Sequence, residues 1–137
     1  MFGIIVDDLL PSQKNIHMIG IADMTKAHLF TKCLTKSCKS IGTILMDISE
    51  IWDYHGLLIA TSLDTYRFMS RSVNAAEKIF FVYDPNQLKI EDHEEIADIK
   101  IPLYVRSKSH AAKVFQITGK KAEIINFGDI VSKWSDK

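Results

Sequence analysis

The densest group of chemically capable side chains in this sequence is Arg106-Ser107-Lys108-Ser109-His110, which passes from a predicted strand into the start of a predicted helix. Free backbone N–H groups and the positive end of a helix dipole favour an anion there. Ser107 and Ser109 can donate hydroxyls, and Arg106 can fork onto a phosphate or carboxylate. The opposing reading is structural: Ser109 also serves as an ordinary helix cap, Arg106 can pair with an acidic neighbour, and no glycine lets the backbone approach a pyrophosphate. Asp23, Asp64, Asp84 and His110 are the candidate acids and bases, and Ser62 joins Arg106, Ser107 and Ser109 in the candidate ligand-binding set.

Several reaction classes lack their motifs. The first strand-to-helix turn is expected at Gly20-Ile21-Ala22-Asp23-Met24-Thr25, which matches neither the glycine-rich dinucleotide fingerprint nor a Walker loop. No serine sits in a Gly-x-Ser-x-Gly elbow, and no His-Glu-x-x-His zinc site occurs. His17, His28, His55, His93 and His110 are scattered. Asp7 and Asp8 can hold a cation or simply form a surface turn, and the second reading is preferred. Cys33 and Cys38, five apart on a predicted helix, point about 140° from each other and suit neither a shared metal nor a disulfide. No metal and no cofactor are expected.

The elements that must position these groups alternate. Strands are expected at Phe2 to Val6, Ile16 to Ile21, Thr43 to Ile48, Leu57 to Thr61, Ile79 to Tyr83, Leu103 to Arg106 and Glu123 to Phe127. Ile79-Phe80-Phe81-Val82-Tyr83 is apolar on both faces, as in a strand covered by helices on each side. One helix is expected after Ile21, with Asp23 as cap, Ala27, Phe30, Leu34, Cys38 and Ile41 inside, Gly42 as its stop, and a lysine face of Lys26, Lys32, Lys36 and Lys39. A second starts after Leu63 with Asp64 as cap and buries Met69, Val73 and Ala76, while Arg67 and Arg71 stand on another face. A third starts at Ser109, buries Ala111, Ala112 and Phe115, and stops at Gly119. Residues 91–98 form a short acidic segment, helical or irregular. This pattern predicts one α/β domain over 1–137: a three-layer, doubly wound, mostly parallel sheet of six or seven strands. Such sheets bind ligands outside the carboxyl ends of their strands.

Composition agrees with a packed domain. The 137 residues are 47% hydrophobic and 25% charged, with 17 basic and 17 acidic side chains, so no global charge draws the surface to nucleic acid or an anionic membrane. Apolar runs fall far short of the roughly 20 residues that span a bilayer. The start, Met1-Phe2-Gly3-Ile4-Ile5-Val6-Asp7-Asp8, has no signal-peptide pattern, and a cytoplasmic location is expected.

In order, Leu57-Leu58-Ile59-Ala60-Thr61-Ser62, Phe81-Val82-Tyr83-Asp84, Val105-Arg106-Ser107-Lys108-Ser109-His110, Gly119-Lys120-Lys121 and Ile124-Ile125-Asn126-Phe127-Gly128-Asp129 are similar to a known succession. They resemble the second half of the N-terminal Rossmann-like domain of two-domain GT-B-fold glycosyltransferases, phage DNA glucosyltransferases included. The likeness covers about half the chain. It implies an acceptor-side domain without its donor-binding counterpart, and a lone half has no closed cleft in which to position a donor. The leading expectation is a non-catalytic, glycosyltransferase-like module that binds a partner protein or a small anionic ligand, with a homodimer as one form and Trp52, Tyr54 and Trp134 as exposed anchors, Trp134 being equally able to fold back onto the core. The alternatives are a small enzyme acting on a nucleotide-sugar or phosphorylated substrate with a second subunit or as a dimer, and a structural adaptor with no small ligand.

Overall fold

A computed structural model of the chain describes residues 2–32, 44–72 and 77–125. Among these, seven strands form one sheet: β1 (Phe2–Val6), β2 (His28–Thr31), β3 (Leu45–Asp47), β4 (Leu57–Ala60), β5 (Glu77–Phe81), β6 (Leu103–Val105) and β7 (Glu123–Ile124). Every pairing is parallel, and the order is β3-β2-β1-β4-β5-β6-β7. The helices are α1 (Gln13–Thr25), α2 (Leu63–Arg71), α3 (His93–Ala97) and α4 (Lys108–Thr118), with 3₁₀ turns at Ile48–Asp53, Pro85–Gln87 and Ile90–Asp92. This is the expected three-layer, Rossmann-like α/β architecture. No described helix is long and apolar enough to cross a membrane.

The central strands read as they do because both of their faces are covered. All five residues of β1 and all four of β4 are buried. On one face Ile4, Val6, Ile59 and Phe81 pack with Met18, Ile21 and Ala22 of α1. On the other, Ile5, Phe30, Leu58 and Ala60 meet Ile48, Ile51, Tyr54 and Met69, and a further cluster joins Phe80, Val82 and Val105 to Ile96, Ile99 and Val114.

The first third of the chain departs from expectation. Ile16 to Ile21 is not a strand but the middle of α1, and the segment expected to be the following helix contains β2. Ser12 starts α1 by accepting a hydrogen bond from the Asn15 backbone N–H at 3.0 Å, and Asn15, Met18, Ile21 and Ala22 then fall on one buried stripe. A disfavour of a few tenths of a kcal/mol per β-branched residue cannot outweigh a cap and a helical stripe. Asp23 is therefore inside a helix and caps nothing. Lys26 ends α1 in the left-handed region, φ 59°, and Lys32 follows β2, so these two lysines share no helix face. Leu34, Lys36, Lys39, Ile41, Gly42 and both cysteines lie outside the described residues.

Two later helices start earlier than expected. Ser62, not Asp64, caps α2, and Ser107, not Ser109, caps α4. Both serines are extended, φ −148° and −153°. A residue leaving a strand already has the backbone geometry that an N-cap needs, so the serine at the exit takes the role. The inward face of α4 also differs from expectation: Val114 is its buried residue, Ala111 is half-buried, and Ala112 and Phe115 face outward. Gly119 stops α4 as expected, and 91–98 is a 3₁₀ turn running into α3. Met69 of α2 is buried, while Val73 and Ala76 lie outside the described residues.

Tyr54 is not an exposed anchor. It is buried against Phe30, and its hydroxyl lies 3.1 Å from His28 Nδ1. Trp52 is 43% exposed and packs edge-on with Phe68. Trp134 lies outside the described residues.

Candidate functional site

In a parallel sheet each crossover helix starts at the carboxyl rim and returns to the amino rim. The carboxyl rim is formed by Asp7-Asp8 after β1, Thr61-Ser62 after β4, Val82-Tyr83-Asp84 after β5 and Arg106-Ser107 after β6. The strand order reverses between β1 and β4, where doubly wound sheets open a crevice.

Here that crevice is tied shut by side chains. Ser62 Oγ donates to Asp7 Oδ1 at 2.9 Å, Thr61 Oγ1 donates to the Ile5 carbonyl at 2.6 Å, and Lys14 Nζ lies 3.4 Å from Asp7 Oδ2. Asp8 Oδ1 accepts from Asn15 Nδ2 at 2.8 Å and from the Leu10 N–H at 3.0 Å. Both carboxylates of the acidic pair thus answer protein donors. Among the described residues no three His, Cys, Asp or Glu side chains are grouped to hold a metal ion.

Open space lies one strand over. A cleft of about 210 Å³ sits between the β4 and β5 exits, floored by Leu63, Phe80, Val82 and Leu88 and edged by Lys14, Ser62, Tyr83, Asp84, Lys89 and Asp92. An adjoining groove of about 460 Å³ runs along the start of α2 past Asp7, Asp64, Arg67, Glu91 and Asp92. Ser62, Leu63, Lys89 and Asp92 line both. The Lys89 side chain has no hydrogen-bond or ion-pair partner among the described residues, which leaves a cation at the junction of the two spaces.

The residues singled out by sequence are dispersed over this frame. Ser62 and Asp84 line the cleft, and Asp84 also accepts from the Asn86 N–H at 3.0 Å. Asp64 stands in the groove, exposed and 3.0 Å from Arg67. Asp23 is near the end of α1, and so at the amino rim, away from the other candidates; its Oδ1 is buried without a partner. Arg106 donates from Nε to the Tyr83 carbonyl at 3.0 Å and lies 3.8 Å from the Tyr83 ring centroid, so it braces a cleft residue from behind. Ser107 Oγ accepts from the His110 N–H at 3.3 Å and lies 3.0 Å from Ser109 Oγ, while His110 Nδ1 is buried without a partner.

Sequence reasoning missed Lys14, Lys89, Asp92 and the pairing of Arg67 with Glu95. Arg67 Nε and Nη2 fork onto the two Glu95 oxygens at 2.9 and 2.7 Å, which holds the Glu95 carboxyl below the usual carboxylate range. Lys14, Arg67 and Glu95 lie on helices, and Lys89 and Asp92 in or beside a 3₁₀ turn, with no recognisable motif around any of them, so only three-dimensional placement reveals them. No family model, curated protein or solved structure matches this chain.

Proposed function

We propose that this chain is a non-catalytic binding module for a small hydroxylated anion of monosaccharide phosphate size, held in the cleft between the β4 and β5 exits. The carrying observation is the composition of that cleft: the unpaired Lys89 and nearby Lys14 beside Asp84 and Asp92, above an apolar floor. Lysines attract a phosphate, carboxylates accept hydroxyl protons, and apolar side chains suit the C–H face of a sugar ring. At about 210 Å³ the space falls below the ~300–1,000 Å³ of drug-sized pockets, which favours a single ring over a dinucleotide. Of the four acid–base candidates, only Asp84 lines this cleft, which supports binding over turnover.

Thermal shift against inorganic phosphate, glucose 6-phosphate and a nucleotide sugar tests the reading. Glucose 6-phosphate should raise Tm more than phosphate does, and Lys89→Ala should abolish the rise. No shift with any of the three would remove the small-ligand reading.

A further inference from the structure

Between Leu88 and Ile96 no side chain is buried: Lys89, Ile90, Glu91 and Glu94 are exposed, Ile90 at 86%, and Asp92, His93 and Glu95 are half-buried. Yet Lys89 and Asp92 of this stretch form a wall of both the cleft and the groove. Burial of Pro85 and packing of Leu88 hold the wall at one end, and burial of Ile96 holds it at the other. In the middle the ties to the rest of the chain converge on one guanidinium. Arg67, on α2, forks onto Glu95, reaches Asp64 at 3.0 Å and lies 3.8 Å from Asp92.

We propose that Arg67 is a positioning residue that fixes the 89–95 wall, and with it Lys89, against α2. The consequence for ligand affinity rests on the binding reading above; the placement of the wall does not. A solitary exposed ion pair would have little to position. Here the planar fork meets both carboxylate oxygens, carboxylates from three elements share one cation, and no apolar side chain within 89–95 is buried to do the same job. Lysine at this position would keep the charge and lose the fork.

Amide hydrogen exchange of the full chain, with and without inorganic phosphate, tests this. The Asp92 N–H, bonded to the Lys89 carbonyl at 3.0 Å, and the Ile96 N–H in α3 report on the wall. In Arg67→Met they should exchange about two- to fivefold faster while β1 and β4 amides keep their rates, because only a local opening is eased. Glu95→Gln should reproduce the effect from the other side of the fork, and the dissociation constant for phosphate should rise by a similar factor. Unchanged exchange in 89–96, or a uniform acceleration across the sheet, overturns the proposal. Local acceleration with unaltered phosphate affinity upholds the placement of the wall and overturns its consequence for the ligand. A wild-type chain that binds no phosphate overturns the binding reading instead, and exchange still decides whether Arg67 holds the wall.

Discussion

Ser62 Oγ donates to Asp7 Oδ1 at 2.9 Å, joining the exits of β4 and β1 where the strand order reverses. The same oxygen caps α2 by accepting from the Thr65 N–H at 3.1 Å, and Thr65 Oγ1 in return accepts from the Ser62 N–H at 3.0 Å. One hydroxyl therefore sets both the start of a helix and the closure of the crevice, and space for a ligand is displaced towards β5.

Ser62→Ala should cost about 1–2 kcal/mol, because it removes a capping box as well as the bridge. Asp7→Asn keeps an acceptor for Ser62 and loses only a half-exposed ion pair, so it should cost less than about 1 kcal/mol. Urea unfolding of the two variants measures the difference; equal losses would refute the dual role of Ser62.

Arg106 and Lys89 should separate brace from anchor. Arg106→Ala removes a hydrogen bond and a ring contact, so it should lower stability by about 0.5–1.5 kcal/mol and preserve the thermal shift with glucose 6-phosphate. Lys89→Ala touches no internal partner, so it should leave stability within about 0.5 kcal/mol and abolish the shift. The reverse pattern would make the α4 entrance the anion site.

Two groups should shape stability below neutrality. Burial pushes the His28 imidazole down from its ordinary value. The unfolded chain then takes up a proton first, and His28's contribution, full above about pH 6.5, declines as pH falls towards the folded value. Arg67 depresses Glu95, whose contribution is present above the ordinary carboxyl value and lost as pH falls through the lower folded one. Urea midpoints should therefore decline in two steps on acidification. His28→Gln should remove the upper step and Glu95→Gln the lower.

Gly3 pairs with His28 in the sheet, and a Cβ placed on it would come 2.5 Å from Phe30 Cε2. Phe30 is fully buried and edge-on to Tyr54, so its ring has little room to yield. Gly3→Ala should cost about 1–3 kcal/mol by overpacking, measured as a lower urea midpoint.

The parallel sheet was legible because doubly covered strands are apolar on both faces, as Leu57 to Ala60 and Ile79 to Phe81 are. The first crossover misled because Ile16, Ile19 and Ile21 resemble a strand in composition, while the helix signal lay upstream in Ser12 and in the spacing of Met18 and Ala22. That error carried Asp23 to the wrong rim. Ser62 and Asp84 were found because they sit at strand exits, the one rule that needs only strand boundaries. Arg67 and Glu95 lie 28 residues apart, a separation no local pattern encodes, and only the fold brings them together and sets Lys89 beside Arg67 in one groove.

A titration of the isotopically labelled chain with glucose 6-phosphate, followed by amide and side-chain NMR shifts, addresses the cleft most directly. Saturable shifts should gather at Lys14, Ser62, Tyr83, Asp84 and Lys89, with Asp23 silent at the far rim. Shifts centred instead on Ser107, Ser109 and His110, or no saturable shifts at all, would contradict a ligand site between β4 and β5.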